Sequence, residues 1–186
     1  MEIVIGVTGA TGTIYAINLL KALKAADEVN THLIMSDWAK ENLTIETKYS
    51  LEDVENLATV IYDNQDLGAR ISSGSFITEG MIIIPCSMKT LSSIAQGYDE
   101  NLIARTASVM LKEGRKLVLS PRESPLSPIH LENMLKLSRI GVRIVPPMPA
   151  FYSHPQGIED IVNHHVMKIL DQFGIDFDQA KRWEGC

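Results

Sequence analysis

The chain has 186 residues, 45 % hydrophobic and 22 % charged, with a net charge of −6. That suffices for one folded unit with a full core and ordinary soluble composition, while the acidic balance and lack of a long basic run argue against nucleic acid as a main partner. The two cysteines, Cys86 and Cys186, are isolated, so neither a disulfide framework nor zinc-ligand spacing arises, and no apolar run approaches the ~20 residues of a membrane span.

The N-terminal Met-Glu-Ile-Val-Ile has no basic region and enters a strand at once, which predicts a cytoplasmic protein rather than a signal peptide. Residues 2–7 form that strand. Gly6, Gly9 and Gly12 follow at three-residue spacing, and residues 13–26 read as a helix with Ile14, Ile17, Leu20 and Leu23 on one face. Such a turn lets backbone N–H groups approach a phosphate at the helix N-terminus; it also suits a tight turn with no ligand. The spacing is not the dinucleotide G-x-G-x-x-G. Residues 31–35 form a second strand, after which Asp37 is a credible N-cap for a helix to about Thr47. Ser36 suits a phosphate or a flavin edge. Glu46, late in that helix, alone reads as a solvated carboxylate.

A short helix over 51–58 and a brief strand over 60–62 come next. Residues 63–76 are polar and glycine-bearing, an ordered or closing loop. Its Ser72, Ser73 and Ser75 suit helix capping better than ligand contact. Residues 81–85 are wholly apolar, as in a parallel strand buried on both faces. Cys86-Ser87-Met88-Lys89-Thr90 then leads into a helix from about Leu91, a second strand–polar turn–helix unit. Ser87 serves either as a cap or as part of a small-ligand cradle, and Cys86 as a small buried residue.

Residues 101–113 read as a helix with Leu102, Ile103, Ala107, Val109 and Met110 inward, carrying Arg105 and Lys112, with Gly114 at its C-cap. A strand over 116–120 follows. Pro121, Arg122, Glu123 and Pro125 then place a cation beside an anion at a strand's carboxyl end, where open parallel sheets bind ligands; read alone, the pair suits an exposed salt bridge. Residues 126–139 are an amphipathic helix with Ile129, Met134, Leu135 and Leu137, and its His130 reads as a surface or interface residue. A short strand over 142–145 ends in three prolines within residues 146–149, an extended wall, and then Tyr152 with a free hydroxyl. The last long helix, 157–173, carries His164, His165 and Lys168. Adjacent histidines diverge by about 100° on a helix and make a poor metal pair. Trp183 stands alone near the C-terminus, able to dock on the core or cap a site.

Strands alternate with helices throughout, which predicts an α/β sandwich with a parallel sheet over residues 1–186, without domain boundary or repeat. Metal-protease, thiol-redox, serine-hydrolase and Walker motifs are absent, as is the aspartate-rich pair that holds magnesium on a diphosphate. Two hydroxyl-lined turns remain, with the cations Arg105, Lys112, Arg122 and Lys168, the carboxylates Glu46 and Glu123, and Tyr152. This set suits a phosphorylated cofactor and a second small phosphorylated molecule, with cations neutralising a leaving phosphate and a carboxylate moving a proton.

Over residues 2–183 the sequence resembles the flavin prenyltransferases, UbiX-like proteins, and within them the branch named as the B component of phenolic or hydroxyarylic acid decarboxylases. The resemblance is carried by Thr8-Gly9-Ala10-Thr11-Gly12, Pro85-Cys86-Ser87-Met88-Lys89-Thr90, Asn101-Leu102-Ile103-Ala104-Arg105, Pro121-Arg122-Glu123 and Ile129-His130-Leu131-Glu132-Asn133-Met134. Phe151-Tyr152 and Arg182-Trp183 add to it. It implies a flavodoxin-like (Rossmann-type) three-layer fold that binds FMN and assembles as a dodecamer. It implies transfer of a dimethylallyl group from dimethylallyl monophosphate to reduced FMN, at N5 and C6, without a metal. The product, prenylated FMN, would pass to a UbiD-like decarboxylase of aromatic acids such as vanillate or 4-hydroxybenzoate.

By the same resemblance, Gly9, Ala10, Thr11 and Ser36 bind FMN at the first two strand ends, and Ser87, Met88, Lys89, Thr90 and Arg122 bind it at the next. Tyr152 and Lys168 hold the dimethylallyl phosphate, with Lys112, Arg122 and Glu123 close to it. Glu46 handles a proton near the flavin, Glu123 is the acid–base partner of the departing phosphate, and Trp183 helps close the site. Arg105 serves either the site or a subunit contact. Thr11 stands where other members carry Ser, and Leu67 where some carry a Trp on the prenyl pocket. Two other readings stay open: a flavin-dependent decarboxylase acting directly, which residues 146–149 fit less well because they lack the Asn of that substrate motif, and a flavin-carrying component of a decarboxylase.

Overall fold

The computed structural model describes residues 1–26 and 28–185; Cys186 lies outside the described residues. In chain order it contains β1 (Glu2–Val7), α1 (Thr13–Ala25), β2 (Asn30–Met35), α2 (Asp37–Glu46), α3 (Leu51–Glu55), β3 (Val60–Asp63), β4 (Gly80–Cys86), α4 (Met88–Gln96), α5 (Leu102–Lys112), β5 (Lys116–Pro121), α6 (Pro128–Arg139), β6 (Arg143–Ile144) and α7 (Ile158–Leu170). Short 3-10 turns occupy Arg70–Ser72 and Asp171–Phe173. The strands form one six-stranded sheet in the order β3-β2-β1-β4-β5-β6, every pairing parallel. This is the expected flavodoxin-like, Rossmann-type three-layer sandwich.

The apolar strands alternate their side chains between two cores. Ile3, Ile5, Val7, Ile82, Ile84 and Val118 face α1, α2, α3 and α7, whereas Val4, Met81, Ile83, Leu117 and Leu119 face α4, α5 and α6. Both faces are dry, which is why these strands read as continuous apolar runs rather than alternating ones. Each fully buried Ile or Leu adds roughly 2 kcal/mol of transfer free energy. The strand order reverses between β1 and β4, so a crevice opens at their carboxyl ends, the topological switch point of such sheets.

Several local expectations shift. Ser36, not Asp37, caps α2: its backbone is extended and its Oγ accepts from the Ala39 N–H. Ser87 caps α4 in the same way, so that helix begins at Met88, three residues before Leu91. None of Ser72, Ser73 and Ser75 caps a helix N-terminus with its side chain; Ser73 closes the 3-10 turn Arg70–Ser72 through its backbone N–H, and its Oγ accepts from the Ser75 N–H at 3.3 Å. The loop they occupy is ordered, held by Arg115, which donates to the carbonyls of Gly74 and Phe76. On α6 the inward side is Asn133 and Leu137, while Ile129 (68 % exposed) and Leu135 (51 %) face out. His130 joins a capping box with Ser127. Gly114 follows α5 in the left-handed region, just after the C-cap Glu113.

Candidate functional site

At the switch point the two strand ends are stitched by one side chain. Thr8 donates from its hydroxyl to the Pro85 carbonyl (2.8 Å) and accepts from the Ser87 N–H (2.7 Å). Its own N–H also reaches Pro85 O at 3.2 Å. Pro85, which has no N–H to give a ladder, thus has its carbonyl satisfied across the crevice. Next to Thr8, Gly9 lies against Trp38: a Cβ built there would stand 2.5 Å from the Trp38 Cβ, too close for any other residue. Gly12 adopts φ 108°, the left-handed region that lets the chain turn into α1.

Between these turns lies a cavity of about 400 Å³, lined by Gly9, Ser36, Trp38, Ser87, Lys89 and Thr90 among others. That is the size range of a small-molecule site. Its polar lining mixes hydroxyls with the amides of Asn64, Gln65 and Asn101 and with the charged Asp37, Lys89 and Glu100. Ser87 Oγ accepts from the Thr90 N–H (3.3 Å) and lies 3.1 Å from the Thr90 hydroxyl. Lys89 meets Glu100 at 3.0 Å. Arg122 joins this end of the sheet through its backbone, its N–H donating to Cys86 O at 3.1 Å. Burial pushes the Cys86 thiol up to about 12, so it is inert at neutral pH.

Five of the cofactor-binding residues expected from the sequence (Gly9, Ser36, Ser87, Lys89 and Thr90) line this cavity, whereas Ala10, Thr11, Met88 and the Arg122 side chain do not. Ala10 is buried, Thr11 is exposed, and Met88 packs on the α4–α6 core. Sequence reading passes over Thr8 and Trp38. Thr8 is visible there only as part of a motif, and Trp38 only as a lone aromatic in the first turn of a helix.

The N-terminus of α1, expected to await a phosphate, already holds an anion. Glu46 Oε2 accepts from the N–H groups of Gly12 (2.8 Å) and Thr13 (3.0 Å). Partial burial pushes this carboxyl up, but hydrogen bonds from Thr11, Gly12 and Thr13 outweigh it and hold the group below the usual carboxylate range. Glu46 is therefore ionised at neutral pH, aided by the helix dipole. It is not a freely solvated side chain.

Arg122 and Glu123 do not form the salt bridge their adjacency suggests. Among the described residues neither joins an ion pair, and Glu123 Oε1 accepts only from the Ser124 N–H at 3.0 Å. Both side chains are exposed.

The remaining expected residues are not gathered around this pair. Lys112 ends α5, at the opposite end of β5 from Arg122; six residues at ~3.3 Å each put roughly 20 Å between them. Lys112 pairs with Glu113 and lines a second cavity of about 430 Å³ with Ser72, Gly74, Ser75 and Arg105. Arg105 reaches Asp99 (3.1 Å) and Ser72 O (3.3 Å). Tyr152, Lys168 and Trp183 form a third group with α7, on the other face of the sheet from α5. Trp183 packs edge-on to Tyr152 at 5.5 Å. The Tyr152 hydroxyl is not free: it lies 2.8 Å from His164 Nε2. Lys168 meets Asp171 at 3.3 Å, and Asp171 also holds Arg182 at 2.7 Å, tying down the tail that carries Trp183.

The two histidines diverge as expected. His165 turns inward, its Nε2 2.8 Å from Ser120 Oγ, with Tyr15 edge-on at 5.0 Å. Burial, and then His164, pushes its imidazole down to about 4, so it is neutral. No three His, Cys, Asp or Glu side chains converge as a metal centre would require among the described residues.

A parallel sheet with a polar crevice at its switch point, entered by the capped N-termini of α2 and α4, defines an α/β protein of the doubly wound, nucleotide-binding type. The comparisons with known proteins agree. Residues 1–170 match the family described as Flavoprotein. A flavin prenyltransferase, LpdB of Lactiplantibacillus plantarum, is 56 % identical over 184 residues, covering 99 % of this chain and 98 % of the relative. A crystal structure described as a dodecameric FMN-dependent UbiX-like decarboxylase from Escherichia coli O157:H7 superposes with a TM-score of 0.98 at 57 % identity, covering all of both chains. AnUbiX, solved in complex with FMN and dimethylallyl pyrophosphate, gives a TM-score of 0.97 at 48 % identity over all of this chain and 98 % of the other. The chain belongs to the UbiX-like flavin prenyltransferase family.

Proposed function

We propose that the protein joins a dimethylallyl group from dimethylallyl monophosphate to N5 and C6 of reduced FMN, giving prenylated FMN. The observation that carries this reading is the stitched crevice between β1 and β4, with its polar lining, the capped N-termini of α2 and α4 at its rim, and a volume of about 400 Å³ in the range of a small-molecule site. FMN would be held by Gly9, Ala10, Thr11 and Ser36 on one side, and by Ser87, Met88, Lys89, Thr90 and Arg122 on the other. Reduced flavin supplies the electron-rich nitrogen and ring carbon that take up the prenyl group; the chain's own residues do the rest.

On the donor, Arg122, Lys112 and Lys168 offset the charge of the phosphate, Tyr152 orients it, and Trp183 helps exclude water. Glu123, which joins no ion pair among the described residues, is the acid–base partner of the departing phosphate, exchanging a proton with its oxygen as the carbon–oxygen bond breaks. Glu46, held ionised, accepts a proton rather than donating one.

Because Lys112 and Tyr152 lie on opposite faces of one chain's sheet, we assign them to a common site from different subunits. An assembly such as the dodecamer described for the E. coli relative makes this possible, and Arg105 would then enter with Lys112. The product would serve a UbiD-like decarboxylase of aromatic acids, and we place the reaction in the cytoplasm with residues 1–186 acting as one unit. No described helix is long and apolar enough to cross a membrane.

Anaerobic incubation of the protein with reduced FMN and dimethylallyl monophosphate, followed by mass spectrometry, tests the reading. A flavin heavier by one five-carbon unit is expected. Its absence, under conditions where a related enzyme yields it, contradicts the proposal. The E. coli relative's description as an FMN-dependent decarboxylase favours a second reading, direct decarboxylation; flavin carriage is the third. If protein-free product alone activates an apo-decarboxylase, the flavin-carrying reading fails; if the protein with FMN releases no carbon dioxide from an aromatic acid, direct decarboxylation fails.

A further inference from the structure

Tyr152 stands edge-on between two rings, His164 and Trp183, with centroids 5.7 and 5.5 Å away and interplanar angles of 79° and 76°. It is 47 % exposed, whereas His164 is 8 % exposed. Their polar atoms, Oη and Nε2, are 2.8 Å apart. A phenol has one hydrogen to donate. With Nε2 bare, Tyr152 gives that hydrogen to His164 and offers a phosphate only lone pairs, which repel its oxygens. With the hydrogen on Nε2, His164 donates, and the phenol hydrogen is released toward solvent or ligand.

We propose that His164 is a positioning residue: by donating from Nε2 to Tyr152 it turns the tyrosine hydroxyl into a hydrogen-bond donor for the phosphate of the prenyl donor. The inference rests on the reading above that Tyr152 holds that phosphate.

The surroundings suit this task. The imidazole shares a cavity of about 320 Å³ with His154, Asp160, Asp178 and Lys181. Lys168 lies one turn further along α7, and Asp171 follows, already shared between Lys168 and Arg182. His165 is adjacent but turned to Ser120. Burial first, then Lys168, pushes the His164 pKa below its usual value, with Asp171 opposing. The ring is thus neutral at neutral pH, carrying one hydrogen for two nitrogens. Placing that hydrogen on Nε2 requires no proton from solution, so an arriving anion selects the donating tautomer without changing the site's charge.

The test is a double-mutant cycle in the full assembly, reading kcat and KM for dimethylallyl monophosphate at saturating reduced FMN. Tyr152→Phe is expected to raise KM roughly ten- to a hundredfold, the range for a hydrogen bond to a charged group. His164→Phe should do nearly the same with kcat little changed, and the double variant should be no worse than Tyr152→Phe alone. His164→Gln, whose amide N–H can stand near the lost Nε2–H, should return KM to within about threefold of wild type. The shorter His164→Asn should not. If Tyr152→Phe leaves KM unchanged, the role given to Tyr152 fails. If it raises KM but the His164 effect is absent or adds in full, the positioning role fails while that of Tyr152 stands. Should His164→Phe not fold, the Gln–Asn pair decides: equal KM values for both, close to wild type, overturn the proposal.

Discussion

The crevice between β1 and β4 is closed by bonds within one chain. Thr8 ties the two strand ends, Ser36 and Ser87 cap the helices that leave it, and Trp38 leans on Gly9. The cations assigned to the donor's phosphate have no such frame. Lys112 rests against Glu113 on one face of the sheet, and Lys168 against Asp171 on the other. Both lysine side chains are about half exposed, so each pair is a weak surface contact that an anion can displace. On the proposed assignment, the flavin half of the site is framed within each subunit, whereas the donor half needs residues from more than one.

The sharpest separation of the two halves comes from Glu123. Glu123→Gln should bind FMN like the wild type, while kcat falls on the order of a hundredfold, the low end of general-acid effects. Flavin titration and single-turnover kinetics check both, and unchanged turnover would remove Glu123 from the mechanism. Lys112→Ala should raise KM for the donor roughly tenfold or more, again with FMN affinity unaltered, since the crevice does not include it.

Acid should act on the fold through His165. Its imidazole, near 6.5 when unfolded, is pushed down to about 4 in the native state, so the unfolded chain binds the proton first. The stability that neutral burial maintains is complete above pH 6.5, falls as pH drops below it, and is lost by roughly 3 kcal/mol near pH 4. Urea unfolding across that range should show this slope, and His165→Phe should flatten it. Glu46 adds a loss of the same sign at lower pH, because its folded carboxyl lies below the usual range. The effect expected to bear least on the donor is that of Thr8→Val, which leaves the Ser87 N–H without its partner. About 1–3 kcal/mol of stability should go, with weaker FMN binding, while donor KM at saturating flavin holds.

The same contrast governs what the sequence discloses. Strand–turn–helix units are local, so the parallel sheet, both glycine and hydroxyl turns, and most helix limits are legible from residues a few positions apart. Asp37 competes with Ser36 for the cap of α2 because both are good caps, and only backbone conformation distinguishes them. Glu46 reads as solvated because its partners, Gly12 and Thr13, lie more than thirty positions away. Arg122 and Glu123 read as paired because they are neighbours, yet adjacent side chains leaving a strand point apart. Tyr152 reads as free because nothing in the chain's order announces that His164 turns toward it. Non-local polar contacts carry no periodicity, and the residues assigned to the donor are held by little else.

Assembly of the donor half across subunits is tested most directly by complementation. Lys112→Ala and Tyr152→Phe, each reduced to about a tenth of wild-type activity or less at low donor concentration, are co-expressed in equal amounts and the mixed oligomers assayed. If the two side chains reach one site from different subunits, about a quarter of the sites regain both, and activity returns to that fraction of wild type. Mixed oligomers no more active than the separate variants would contradict the account, because they would mean that one subunit supplies both residues.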